Sequence, residues 1–349
     1  MKVAYIIASL KQTGPNNVVY DLVQLMMEHG QQCTVYYFDD KGNLEYPCET
    51  KRINLSQVID FSQYDVIHAH TFRPVLYAFL HKPFNCKTKF VATIHNYVFD
   101  DLKYVYGKFK GYLLALLFLL LIRRQNKLIT LSKDAKVYYQ KWFAKNKLTY
   151  IYNTRIIDKS EKPSLSEKHD LESFKKDGVL IGVNSSIHER KGLDVLLDAM
   201  RQLPERFKLY IVGDGPGLNS LKQMCHQYDL DERVRFCGRI HKAYKFLPYY
   251  DIYAIPSRSE GFPLSLLEAA NYGCKVVCSD INVFKECFSE EEVVMFKVPN
   301  SKDLAEAILK AENNQTLSQN IHEKFLKEYS PLRFYEKHME VYSQVLHNS

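Results

Sequence analysis

The sequence has no apolar run long enough to cross a bilayer, no paired Cys-x-x-Cys motif, no long polar tract and no short-period repeat. Each absence closes a class. A spanning helix needs about 20 apolar residues, whereas the run at 113–122 has ten. Eight cysteines (Cys33, Cys48, Cys86, Cys225, Cys237, Cys274, Cys278 and Cys287) show neither zinc-site spacing nor the framework of a small disulfide-stapled domain. They are read as reduced thiols. Met1-Lys2 leads directly into Val3-Ala4-Tyr5-Ile6-Ile7-Ala8, without the long core and cleavage site of a secretory signal. A cytoplasmic chain is therefore expected. With aromatics at 13% and no polar tract, disorder is excluded as the main state.

What is present fits a two-domain globular protein. The chain has 349 residues, 46% hydrophobic and 25% charged. Charge is unevenly placed: residues 1–168 hold 24 Lys and Arg against 14 Asp and Glu, and the remainder holds 23 against 26. A basic front half suits an anionic partner, nucleic acid or anionic lipid. Short apolar runs alternate with helical patterns, as in α/β proteins with parallel sheets. The first series lies at 3–8, 33–38, 66–69, 90–95, 127–131 and 148–152. The second lies at 179–183, 209–212, 234–237, 252–255, 276–278 and 293–296. Polar residues 158–177 between them read as a linker or as elements at the domain margin. Two doubly wound sheets with a cleft between them are expected, with ligands at the carboxyl ends of the strands.

The stretch Pro256-Ser257-Arg258-Ser259-Glu260-Gly261-Phe262-Pro263-Leu264, followed by Glu268, is the most informative of these ends. A strand ends, a loop follows, and a helix is expected to start near Leu264. Pro263 suits a first turn, whose N–H groups form an anion site. Read without context, Glu260 is a surface loop acid and Glu268 a solvated helix residue. Other motifs fail on context. Gly213-Asp214-Gly215-Pro216-Gly217 breaks the dinucleotide fingerprint at Pro216. Asp229-Leu230-Asp231 imitates a metal-binding triplet but falls in a turn, and no metal is expected. His68-Ala69-His70 has strand spacing without a third ligand and reads as structural or acceptor-facing.

Two glutamates separated by seven residues in Glu260-Gly261-Phe262-Pro263…Glu268 resemble the signature of retaining GT-B glycosyltransferases of family 4 (group 1). Glu189-Arg190-Lys191-Gly192 resembles that family's RKG segment, and 211–216, 234–238 and 273–277 match its following strands. Asp65 through His70, Ala92 through His95 and Tyr152-Asn153 match in the front half. The resemblance covers most of the chain, in order, strongly in the back half and diffusely in the front.

It implies an α/β GT-B fold: two Rossmann-like domains, 1–165 for the acceptor and 170–328 for the nucleotide-sugar, with a closing helix at 331–349 returning to the first. It implies catalytic roles for Lys191, Arg190, Glu260 and His95. Lys191 answers to the family's phosphate lysine, Glu260 to a contact with donor-sugar hydroxyls, Glu268 to the ribose hydroxyls, and His95 to the donor sugar near the reacting carbon. Donor-binding positions would be Gly14, Ser185, Gly238, Arg239, Ile240, Gly261, Phe262, Pro263, Leu264 and Glu268. Gly238, Arg239 and Ile240 lie where the family packs the base. One departure stands out: where the family carries Gly-Arg, this chain has Asn184-Ser185. Either Arg190 substitutes, or Ser185 and Ser186 offer neutral hydrogen bonds, or catalysis is weak.

The function so implied is transfer of a sugar, from a UDP-sugar on family habit, to a saccharide or lipid-linked saccharide in cell-surface polysaccharide biosynthesis, such as O-antigen or capsule. No cofactor or metal is expected. The alternatives are a GT-B epimerase or phosphorylase, and a non-catalytic nucleotide-sugar-binding subunit. A nucleic-acid partner is not expected, because the basic excess lacks a recognition motif. Residues 113–122 are either a buried core helix or a monotopic anchor bracketed by Lys103, Lys108, Lys110, Arg123 and Arg124. On the second reading the protein is peripheral on the cytoplasmic membrane face.

Overall fold

A computed structural model describes residues 1–347. The chain divides into two compact units: Met1–Thr154 with the segment from Ser330 onward, and Arg155–Tyr329.

The first unit is built on seven parallel strands: β1 (Lys2–Ser9), β2 (Gln32–Asp39), β3 (Glu49–Arg52), β4 (Val66–His70), β5 (Lys89–Ile94), β6 (Lys127–Thr130) and β7 (Leu148–Tyr150). Their order is β3-β2-β1-β4-β5-β6-β7. Most of these runs are apolar on both faces, because helices cover both sides of a parallel sheet. Val66, Ile67 and Ala69 are fully buried. β3 has no counterpart in the sequence reading. Its residues Glu49, Thr50, Lys51 and Arg52 are all exposed, as suits a charged edge strand, so it carries no apolar signal. The closing helix Pro331–His347 belongs to this unit. It buries Phe334, His338, Val341, Tyr342 and Val345, the i, i+4, i+7, i+8, i+11 stripe of one helical face. Tyr342 meets His68 of β4 at 2.7 Å, and the Tyr335 ring stacks on His29 at 4.0 Å.

The second unit has six parallel strands: β8 (Val179–Asn184), β9 (Phe207–Val212), β10 (Val234–Phe236), β11 (Ile252–Ile255), β12 (Val276–Ser279) and β13 (Val294–Phe296). Their order is β10-β9-β8-β11-β12-β13. Residues 158–177 are not a plain linker. They contain the helix Leu165–Lys175, begun by a capping box between Ser164 and Glu167. The division falls before Arg155, upstream of the expected 165, because this segment packs on the second sheet. Lys208 Nζ donates to the Phe174 carbonyl at 2.6 Å, Tyr210 donates to Asp170 at 3.1 Å, and Lys245 pairs with Glu167 at 2.8 Å.

Candidate functional site

In the second sheet β8 lies between β9 and β11, so successive connections leave in opposite directions at the β8/β11 boundary. Such a switch point opens a crevice at the carboxyl ends of the two strands. The loops that follow β8 and β11 converge there. Gly192 makes the approach feasible: its φ is +66°, and a Cβ would lie 2.0 Å from the Pro256 carbonyl oxygen. Arg258 laces the loops together, its N–H on the Arg190 carbonyl at 2.8 Å and its guanidinium on both Asp194 oxygens at 2.8 and 2.6 Å. Burial alone would raise the Asp194 carboxyl, and the Arg258 pairing overrides it, leaving it below the usual range.

Lys191 and Glu260 come together at this crevice. Lys191 Nζ lies 2.5 Å from Glu260 Oε1, with side chains 17% and 8% exposed. Ser257 Oγ donates to the same oxygen at 2.7 Å. Glu260 is therefore not the exposed loop acid that its position in the sequence suggests when read without context. A small cavity beside the pair is lined by Ser185, Lys191, Ser257 and Ser265, among others. The Ser185 hydroxyl is buried without a hydrogen-bond partner among the described residues. Asn184, the other residue of the family departure, is held by scaffold: it donates to the Ala243 carbonyl and accepts from Tyr250, both at 3.0 Å. Arg190 stands half-buried in the turn Glu189–Lys191. Nearby, burial first and then the charges of Arg190 and Lys191 hold His188 below its ordinary value.

The helix Leu264–Tyr272 follows directly, with Pro263 at the capping position rather than inside the first turn. No side chain caps it, so its first turn lacks a side-chain acceptor from the capping residue. Gly261 and Leu264 are half-buried, while the Phe262 ring is buried and meets Tyr329 at 6.4 Å. Phe262 thus anchors the loop. Glu268 accepts from Arg155 Nε at 3.0 Å, both side chains being under a fifth exposed, so it is not a solvated helix residue. Gly238, Arg239 and Ile240 follow β10, two strands from β8; Arg239 is exposed, and the Gly238 carbonyl accepts from Gly213.

The remaining candidates belong to the first unit. Gly14 opens the helix Gly14–Glu28 and is exposed. The turn before it is tied by buried Asn16, which donates to the Ser9 and Lys11 carbonyls at 2.8 and 2.7 Å. His95 follows β5, and its Nε2 meets His70 Nδ1 at 3.1 Å. Burial pushes His95 down to about 4, so its imidazole is neutral near pH 7. His70 Nε2 is buried with no hydrogen-bond partner among the described residues.

Sequence reasoning missed Arg155 as the partner of Glu268 and the lacing by Arg258 and Asp194. A separation of 113 residues between Arg155 and Glu268 leaves no local pattern. Ser257, three residues before Glu260, carried a local signal that was not used. Asp229 and Asp231 lie in a turn, Asp231 bonding His226 at 3.0 Å. Among the described residues, no group of three or more His, Cys, Asp or Glu side chains is placed to hold a metal ion.

The family model described as Glycosyl transferases group 1 matches residues 166–327, and that described as Glycosyltransferase Family 4 matches 13–155. The O-antigen biosynthesis glycosyltransferase WclY of Escherichia coli is 31% identical over 358 residues, covering 99% of each chain. Among solved structures, Anabaena HepE in complex with UDP-glucose aligns with TM-score 0.82 at 19% identity, over 99% of this chain and 100% of its own. Sucrose-phosphate synthase of Thermosynechococcus elongatus aligns with TM-score 0.82 at 19% identity, over all of both chains. At these identities the two structures speak for the fold alone.

Proposed function

Because the chain belongs to the group 1 glycosyltransferases of the family 4 type, we propose that it moves a hexose from a UDP-sugar to a saccharide or lipid-linked saccharide, with retention at the anomeric carbon. The observation that carries this reading is the Lys191–Glu260 pair at the switch point, beside an uncapped helix N-terminus. A cation and oriented N–H groups are what a departing diphosphate needs as its charge grows. Lys191 takes the phosphates, with Arg190 and the Ser185 hydroxyl in support, and Glu260 turns to the sugar hydroxyls. Glu268, with two acceptor oxygens, suits the vicinal diol of a ribose. The base lies along Gly238, Arg239 and Ile240. His95, neutral, and Gly14 are the candidates of the first unit for the roles that the family resemblance implies.

In this mechanism the bond from the anomeric carbon to the diphosphate breaks, and a bond to the acceptor oxygen forms on the same face. The acceptor proton passes to the leaving phosphate oxygen, so no protein nucleophile is required. Protein cations and amides take the charge, and we expect a chelator to leave turnover unchanged. The likeness to WclY supports a cell-surface polysaccharide as the destination, and the uridine nucleotide follows the habit of the family. No helix among the described residues is long and apolar enough to cross a membrane. We place the protein at the cytoplasmic membrane face as a peripheral enzyme.

The test is incubation with UDP-hexoses and saccharide acceptors, with the product read by NMR. The expected product is a glycoside keeping the donor's anomeric configuration. Free epimerised sugar, a phosphate-dependent sugar phosphate, or nucleotide-sugar binding without turnover would replace this reading with the epimerase, phosphorylase or non-catalytic alternative.

A further inference from the structure

The apolar run at 113–122 turns out to be both core and surface. It lies in the helix Lys108–Ile122, which follows the helix Val98–Tyr106 after one residue, Gly107. The two helices meet tightly at Gly111, where a Cβ would lie 2.5 Å from the Leu102 carbonyl oxygen. One stripe of the second helix, Gly111, Ala115, Phe118, Leu119 and Ile122, is buried, with Phe118 stacked on Phe72 at 5.6 Å. The opposite stripe, Phe109, Tyr112, Leu113, Leu116, Leu117 and Leu120, has the same helical spacing and is exposed. Phe109 is 80% exposed, and Leu113 and Leu120 are each about half exposed. Tyr104 and Tyr106 of the preceding helix extend the face.

A continuous apolar face of this length on a folded domain marks a docking surface. Charge says what covers it. Lys103, Lys108, Lys110 and Arg123 are exposed around the stripe, and no Asp or Glu occurs from 102 to 133. Tyr104, Tyr106 and Tyr112 stand at the end where the lysines gather, an arrangement of aromatic bodies and polar tips suited to a headgroup layer. A two-fold contact with a second copy, whether its helices run parallel or antiparallel, would set cations against cations, since both ends of the stripe are basic and no carboxylate lies between. Arg124 is a different case: it donates to the Phe79 and Lys82 carbonyls at 2.6 and 2.7 Å and belongs to the fold.

We infer that this face enters the acyl boundary of an anionic phospholipid membrane. The helix lies flat, with Leu113, Leu116, Leu117 and Leu120 inward and the lysines on lipid phosphates. At 15 residues and ~1.5 Å each the helix is about 22 Å long, ample for an interfacial helix and short for a crossing. The inference rests on the membrane-face reading above and names the surface that performs it.

Flotation of the full chain with phosphatidylglycerol–phosphatidylcholine vesicles at low salt tests it. Wild type is expected to float, and binding to weaken about fivefold for each of Lys103→Gln, Lys108→Gln and Lys110→Gln. The pair Leu116→Gln/Leu120→Gln is expected to weaken it at least tenfold, with melting temperature and transfer to a water-soluble acceptor unchanged. Wild type that stays at the bottom of the gradient, or a leucine variant that floats equally, overturns the inference. So does a concentration-dependent dimer, lost in the leucine variant, from a chain that does not float. Absence of transfer to the soluble acceptor by wild type would count against the catalytic reading alone, since flotation is read independently.

Discussion

Lys191 and Glu260, 69 residues apart in sequence, form a 2.5 Å ion pair at the carboxyl ends of β8 and β11. Each neutralises the other in a part of the site that water barely reaches, and Ser257 adds a hydrogen bond to the carboxylate. Both groups are thereby held in place before any donor arrives. A bound diphosphate offers Lys191 a second anion and frees Glu260 for hydroxyl groups.

Two effects of Lys191→Ala can therefore be separated. Turnover should fall by ~10²–10³, the cost of removing one charge aimed at a leaving group. Stability should also fall, because Glu260 keeps only Ser257 as a partner among the described residues. In the double variant Lys191→Ala/Glu260→Gln the melting temperature should recover while turnover does not. Activity of Lys191→Ala within twofold of wild type would remove Lys191 from the phosphate site.

Arg155 and Glu268 should behave as one unit. Glu268→Gln is expected to weaken UDP binding about tenfold, a loss of one charged hydrogen-bonding partner. Arg155→Ala should act in the same direction, by releasing the carboxylate from its position. Neither change should alter binding of 2′,3′-dideoxy-UDP, which lacks the diol. Calorimetry that finds equal losses for both nucleotides would assign Glu268 to the fold rather than to ribose.

The first unit should weaken in mild acid. Burial holds His338 and His95 near 4 and His68 and His70 well below their ordinary value, the neighbouring histidines adding to the effect on the latter two. The unfolded chain binds a proton at each below about pH 6.5, whereas the folded chain does not. Stability is thus fully present above 6.5 and declines as pH falls toward 4. For His338 alone, 3% exposed, the loss between pH 7 and 5 is about 2 kcal/mol. Urea melts at the two pH values should show the decline, and His338→Gln should make it shallower. Equal midpoints at pH 7 and 5 would contradict the neutral cluster.

Most strands were legible because parallel strands buried on both faces must be written as apolar runs, as 252–255 and 276–278 are. β3 was not, since a charged edge strand leaves no such trace. Composition left residues 158–177 open between linker and elements at the domain margin, and Ser164 and Glu167 carry a helix start that a capping-box reading would have found. Lys191, Glu260 and Glu268 became candidates through the family resemblance, and the structure brings Lys191 and Glu260 together. Arg155 was not, because an ion pair across 113 residues depends on the tertiary fold. The run at 113–122 left core and surface undecided for a physical reason: both stripes of the helix are apolar, so no polar face announces which side is inside.

Sugar transfer at this site requires the second unit to grip a nucleoside diphosphate through Lys191. Calorimetric titration of wild type and Lys191→Ala with UDP and with UMP addresses that directly. Wild type is expected to bind UDP at least tenfold more tightly than UMP, and Lys191→Ala to lose this preference while still binding UMP. Equal affinity of wild type for the two nucleotides, or an undiminished preference in Lys191→Ala, would contradict it.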